Sequence, residues 1–215
     1  MQRRLIETTI AVLVAVSLTA CARADGSNPA TTSPSASPSA LVSPNPQPLN
    51  TQDPATWIIS ESGIGPFRLG ANLKAVTATL KSLRASNYEC PNPLASFYEI
   101  AGVTISAIVD NSGKLVGVDV GDLLQAPDST TSDARLPLSG PHTAQGIGYG
   151  SKVTELQAAY PSAVRTDYVQ DGNFPLYTEK TAAGAWITFS AIARSQKVGS
   201  IGVWPGSRPP YEYCG

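Results

Sequence analysis

"VTISAIVDNSGKLVGVDV", Val103 to Val120, is the stretch on which the reading of the fold turns. Val103, Ile105, Ala107 and Val109 alternate with small or polar residues, the period-two pattern of a strand with one buried face. Asp110-Asn111-Ser112-Gly113 then supplies turn chemistry, and Val116, Val118 and Val120 return. Two β-branched runs around such a turn predict an antiparallel hairpin. The same grammar recurs downstream in "AWITFSAI" (Ala185 to Ile192) and "KVGSIGVW" (Lys197 to Trp204), where Ile187 with Phe189 and Ile201 with Val203 are the candidate core positions.

Upstream of each hairpin lies a segment that resembles the other. "IGPFRLGANLKAVTATL" (Ile64 to Leu80) aligns with "QGIGYGSKVTELQAAY" (Gln145 to Tyr160), matching Gly70 with Gly150, Leu73 with Val153 and Val76 with Leu156. Each reads as a short apolar strand, a glycine, then a helix. Asn72 and Ser151 are the candidate N-caps, and Leu73, Val76, Leu80 and Val153, Leu156, Tyr160 recur at helical spacing, with Pro161 as a stop. The expected fold class is therefore α+β: two similar helix-plus-antiparallel-hairpin or meander halves forming one domain. The halves are assigned to residues 57–121 and 144–215, joined by an Asp/Ser/Thr/Pro-rich loop at 122–143.

The strand-glycine-helix signature is similar to the "GMT-x-x-x-V" motif of the barrel-assembly lipoprotein E (SmpA/OmlA) family and to the tandem halves of β-lactamase inhibitory protein. Both copies depart from it, Ala71-Asn72 and Ser151-Lys152 standing where Met-Thr would be. The end of the chain, Gly206 to Cys214 (GSRPPYEYC), resembles the finish of secreted lipoproteins of high-GC Gram-positive bacteria. These resemblances imply a helix-on-sheet fold and a binding or scaffolding role, and no inhibitory target carries over.

Residues 1–20 read as a signal peptide. Arg3 and Arg4 are followed by the uncharged run Ile10 to Leu18. Nine residues span only about 14 Å as a helix, too short for a hydrocarbon core of about 30 Å. Leu18-Thr19-Ala20-Cys21 resembles the lipobox of bacterial lipoproteins. That resemblance implies diacylglycerol attachment to Cys21, cleavage between Ala20 and Cys21, and acylation (palmitate) of the new amino terminus. Two or three acyl chains hold a protein on a membrane where one does not.

Residues 21–56 follow as the expected tether. Between Ala22 and Thr56 there are seven prolines and ten serines or threonines, with no aromatic residue and only Arg23, Asp25 and Asp53 charged. Such a composition cannot bury enough apolar surface to offset chain entropy, and in polyproline II form it would reach about 110 Å. The chain from Cys21 onward carries a net charge of −2 and no basic run, which argues against nucleic acid as a partner. With Cys21 lipidated, Cys90 and Cys214 are left as an even pair outside the cytoplasm. A disulfide between them would contribute up to roughly 5 kcal/mol through chain entropy; two free thiols are the rival reading, and no C-x-x-C spacing is present to make them a redox pair.

Catalytic frames are sparse. His142, the only histidine, sits in "GPHTAQG" with no G-x-S-x-G frame to make it the base of a triad. One histidine and a paired set of cysteines leave no zinc site, and Asp110 to Gly113 lacks the later acidic ligands of a calcium loop. Asp119 with Asp122, or Asp167 with Asp171, are the acidic pairs that could serve glycoside hydrolysis, against which stands the reading that they are solvated turn carboxylates. "GIGPFRLG" and "GIGYG" lack the lysine and helix of a phosphate loop. Trp204, Arg208, Tyr211 and Tyr213 crowd the C-terminal segment and form the candidate contact surface.

The expectation is thus a lipid-anchored protein on the extracytoplasmic face of the cell membrane. It acts as a non-enzymatic binding or envelope-associated module, with no cofactor, catalytic residue or metal, and takes an envelope protein or cell-wall component as partner. The alternatives are a cell-wall or glycan hydrolase using carboxylates, and an inhibitor of secreted enzymes of the β-lactamase inhibitory type.

Overall fold

The computed structural model describes residues 50–121, 140–168 and 174–206. The chain divides into two units, Met1–Pro44 and Asn45–Gly215, and every described residue lies in the second. The cleavage site, Cys21 and the tether up to residue 49 are outside the described residues.

Chain that composition assigns to the end of the tether is folded. Asp53 caps a 3-10 turn at Pro54–Thr56 by accepting from Ala55 N, and Gln52 bridges to the first helix, donating to Thr79 O and accepting from Lys81 N. Trp57 Nε1 donates to Asn50 O. The domain therefore begins at or before Asn50, because side-chain amides reach across sequence in a way that local composition does not register.

A small sheet comes first. Strands β1 (Ile58–Ser60), β2 (Gly63–Ile64) and β3 (Phe67–Arg68) run as a tight antiparallel meander, and β8 (His142–Thr143) joins β1 in parallel, giving the order β3-β2-β1-β8. Helix α1 (Leu73–Thr79) follows β3, and helix α2 (Val153–Ala159) follows β8. The large sheet holds β4 (Arg84–Ala85), β5 (Ala95–Ile100), β6 (Val103–Val109), β7 (Leu115–Gly121), β9 (Val164–Tyr168), β10 (Phe174–Lys180), β11 (Trp186–Ile192) and β12 (Lys197–Trp204). Its order is β4-β5-β6-β7-β12-β11-β10-β9, and every neighbouring pair is antiparallel.

This overturns the α+β expectation of helix-plus-hairpin repeats. The described chain is mostly β, with twelve strands in two sheets and two helices of seven residues each. The helical spacing of Leu73, Val76 and Leu80 and of Val153, Leu156 and Tyr160 was sound over two turns, but Leu80 and Tyr160 are already C-caps. Strands also form where alternation is weak. β5 reads ASFYEI, and β10 carries Pro175. Pairing of β7 with β12 then fuses what read as separate hairpins into one eight-stranded sheet.

Helix starts are set by backbone contacts to hairpin ends. Gly70 N donates to Leu115 O and Gly150 N to Val198 O, and both glycines hold φ near 80° (81° and 83°), a region a Cβ disfavours. Asn72 Oδ1 accepts from Ala75 N as the N-cap of α1. The second cap falls one residue later than expected, at Lys152, whose backbone N–H is accepted by Glu155 Oε2 at 2.9 Å. Ser151 Oγ instead accepts from Gly148 N.

The core lies between one face of the large sheet and the helices with the small sheet. Ile105, Ala107, Val118, Val120, Ile187, Phe189, Ile201 and Val203 supply the strand side, and Leu73, Val153, Leu156, Trp57, Ile64 and Phe67 pack against them. Ile105 pairs Val120 and Ala107 pairs Val118, but a bulge at Ile108/Val109 makes Leu115, not Val116, the partner of Val109. Leu115 is buried and Val116 exposed, because the extra residue of a bulge flips the alternation.

Candidate functional site

The middle of the second face of the large sheet is also buried, and its chemistry is different. Antiparallel register places Ser106 of β6, Asp119 of β7, Gly202 of β12, Thr188 of β11 and Thr178 of β10 in one row across the sheet. Ser200 lies one pair along β12 on the same face. Ser106, Asp119, Thr178, Thr188 and Ser200 are each no more than 4% exposed. A row of small polar side chains in a sheet interior is unusual, since an apolar residue would bury more surface without needing a hydrogen-bond partner.

Trp204 roofs part of this row. Its Nε1 donates to Thr188 Oγ1 at 3.0 Å, and its ring lies over two glycines. A methyl placed on Gly117 would sit 2.2 Å from Trp204 Cζ3, and one on Gly202 would sit 2.1 Å from Nε1 and 2.9 Å from Asp119 Oδ2. Glycines on adjacent strands thus make the hollow in which an indole and a carboxyl share one sheet face. The C-terminal contact surface expected at Trp204, Arg208 and Tyr211 is corrected at its first member: Trp204 is 2% exposed and packs into the sheet. Arg208, Tyr211 and Tyr213 lie outside the described residues.

Asp119 is the chemically distinctive group. Burial pushes its carboxyl up from the ordinary 3.8 to about 8, and the Ser200 hydroxyl beside it pulls the other way. The alignment falls short of a hydrogen bond, for Asp119 Oδ1 and Ser200 Oγ are both buried without a partner among the described residues. At neutral pH the side chain is therefore a neutral acid, a proton donor and not a base. The reading of Asp119 as a solvated turn carboxylate is overturned. The sequence signal was present in "GVDVG", a lone acid inside a β-branched run with glycines two residues to each side, the spacing that shares its face.

Asp122 and Asp171 lie outside the described residues, and Asp167 falls in β9, opposite Pro175. Asp110 caps its own hairpin turn, Oδ1 accepting from Ser112 N, Ser112 Oγ and Lys114 N. The Lys114 backbone bond leads in holding its carboxyl below the usual range. His142 is in β8 of the small sheet, paired to Ile58, with Nδ1 at 3.3 Å from Gly140 O. It is thus in a different sheet from Asp119. Among the described residues no three of His, Cys, Asp and Glu stand together to hold a metal ion, and no helix is long and apolar enough to cross a membrane. Cys90 is disulfide-bonded; Cys214, its expected partner, lies outside the described residues.

No family model and no curated protein matches the chain. Solved structures do match at low similarity. One is a cysteine-rich secretory protein from Staphylococcus aureus subsp. aureus Mu50, with 12% identity and a TM-score of 0.37 over 68% of this chain and 48% of that one. Another is an extracellular protein containing an SCP domain from Bacillus anthracis str. Ames, with 8% identity and a TM-score of 0.35 over 65% of this chain and 44% of that one. The chain thus spans about half the length of the structures it matches.

Proposed function

We propose that this protein is a lipid-anchored, extracytoplasmic binding module, in which Cys21 carries the acyl chains and a polar tether presents the β-rich domain to a cell-envelope partner. The observation that carries the reading is the order Leu18-Thr19-Ala20-Cys21, then the Pro/Ser/Thr-rich segment, then a folded domain from Asn50. The domain chemistry supports binding over hydrolysis. Among the described residues the acid pushed furthest from its ordinary value is Asp119, enclosed in a sheet and protonated at neutral pH, where a hydrolase would need two carboxyls facing a cleft.

A disulfide from Cys90 to Cys214 belongs to the same proposal, and the sheet supports it. Trp204 leaves β12 in the row of Gly117, Ile108 and Ala95, five residues from Cys90. Crossing from β12 to β5 is three strand spacings, about 14 Å, which the ten residues from Trp204 to Cys214 span easily at about 3.3 Å each.

The test has two arms. Metabolic labelling with an alkyne fatty acid should mark the wild type and not Cys21→Ser. The detergent-solubilised protein, offered cell-wall fragments and envelope extract, should retain a component without turning over glycan or peptide. A mature chain that begins elsewhere and carries no acyl group overturns the anchor, and glycan turnover overturns the binding module in favour of the hydrolase.

A further inference from the structure

Four buried apolar residues stand apart from the main core. Phe97, Ile108, Leu176 and Trp204 are buried like the rest but lie outside the core that the helices and the small sheet cover. Register puts them on the second face of the large sheet, with Ser106 and Asp119. Two rings flank the part of this face between β5 and β12. Trp204, the last residue of β12, lies over Gly117 and Gly202, and Tyr88 stands edge-on against Phe97 with ring centroids 5.1 Å apart. Ser106 and Ile108 of β6 lie between them, 2% and 8% exposed, and no described helix or strand packs over them. The face of a sheet loses its contact with water only where a second layer covers it.

We propose that the C-terminal segment, residues 207–214, is that layer: a strap laid across β7 and β6 and pinned by a disulfide from Cys214 to Cys90. The pin is the disulfide proposed above, and the strap rests on that reading. Both ends of the span are on the same side of the sheet. The chain enters it from Trp204 through Pro205 and Gly206, and Tyr88, packed against Phe97, brings the chain to this face two residues short of Cys90. From β12 to β5 is about 14 Å. The ten residues from Pro205 to Cys214 reach about 33 Å when extended, so the segment has the slack to lie along the face before it closes.

Its composition suits that place. Pro209 and Pro210 in "SRPPYEYC" carry no N–H to leave unpaired over a sheet whose backbone groups already pair with one another. Tyr211 and Tyr213 share one side of an extended chain. A tyrosine brings an apolar body and a hydroxyl tip, the same mixture as a face on which Phe97 and Ile108 stand beside Ser106, Asp119 and Ser200. The C-terminal aromatics then serve the domain's own sheet, and removing them turns Phe97, Ser106 and Ile108 into exposed surface.

Hydroxyl-radical footprinting of the detergent-solubilised full chain, read residue by residue by mass spectrometry and corrected for intrinsic reactivity, tests the strap. In the wild type Phe97 and Ile108 should be protected nearly as well as Ile105 and Phe189 of the main core. Tyr211→Ser combined with Tyr213→Ser, which keeps the disulfide, should raise oxidation of Phe97 and Ile108 severalfold and leave Ile105 and Phe189 unchanged. Non-reducing peptide mapping separates the pin from the strap. Cys90 joined to any cysteine but Cys214, or left free, overturns the disulfide and the strap with it, whereas a Cys90–Cys214 bond with unchanged protection in the double variant overturns the strap alone. If the double variant does not fold, so that Ile105 and Phe189 are oxidised too, NMR of the wild type decides instead. Cross-relaxation between ring protons of Tyr211 or Tyr213 and the methyls of Ile108 supports the strap, and its absence overturns it.

Discussion

Gly117→Ala puts one methyl where the Trp204 ring already is. The new carbon would fall 2.2 and 2.3 Å from Cζ3 and Cε3 and 3.3 Å from Cη2, where ordinary carbon contacts are about 3.5 to 4.0 Å. The ring has to move by more than about 1 Å, and little around it can yield. Its Nε1 is tied to Thr188 Oγ1 at 3.0 Å, and the same Nε1–Cε2 edge lies against Gly202. Overpacking a dense core costs about 1–3 kcal/mol, and dragging Nε1 from its acceptor strands a buried donor for about 1–3 more. The expected loss is about 3 kcal/mol, or roughly 10 °C in Tm for a domain of this size. Urea denaturation followed by far-UV circular dichroism and tryptophan fluorescence measures it. Gly206→Ala, which meets nothing within 4 Å, serves as the control and should stay within about 0.5 kcal/mol of wild type. Combining Gly117→Ala with Trp204→Leu should cost less than the two single changes added together, since the second removes the ring that the first strikes. A Gly117→Ala protein within about 0.5 kcal/mol of wild type, or strict additivity in the double variant, would refute the packing reasoning.

Leu156 of α2 is fully buried against the sheet, so Leu156→Ala should lose about 3 kcal/mol in the same urea experiment; a loss below about 1 kcal/mol would mean that α2 is not seated as described. Tyr160 donates to Gln145 Oε1 at 2.7 Å, and burial leads in raising its phenol above the ordinary value of 10. The folded state then keeps the proton where the unfolded state releases it, so stability is intact below about pH 10 and declines above it. Tyr160→Phe should flatten that decline, and an unchanged slope in alkaline unfolding curves would remove Tyr160 as its source.

Local chemistry was legible in the residues themselves. The Asp110 to Gly113 turn, the Asn72 cap and the buried face of Ile105, Ala107, Val118 and Val120 follow from alternation, turn propensity and capping, each settled within a few residues of chain. Lys152 displaced Ser151 as a cap because Glu155 reaches back to its N–H, a choice between neighbours that spacing leaves open. What lay beyond local pattern was how the strands meet. The α+β expectation failed because β5 and β10 carry weak alternation, and because nothing in "GVDVG" or "GSIGVW" announces that they pair with each other. Only that pairing, across eighty residues of chain, sets Gly202 against Asp119 and lays Trp204 over Gly117. The same pairing turns an acid that reads as solvated into a buried, protonated one. A side chain's charge is written in the sequence, but its cost depends on what surrounds it, and here the surroundings arrive from a strand the sequence places far away.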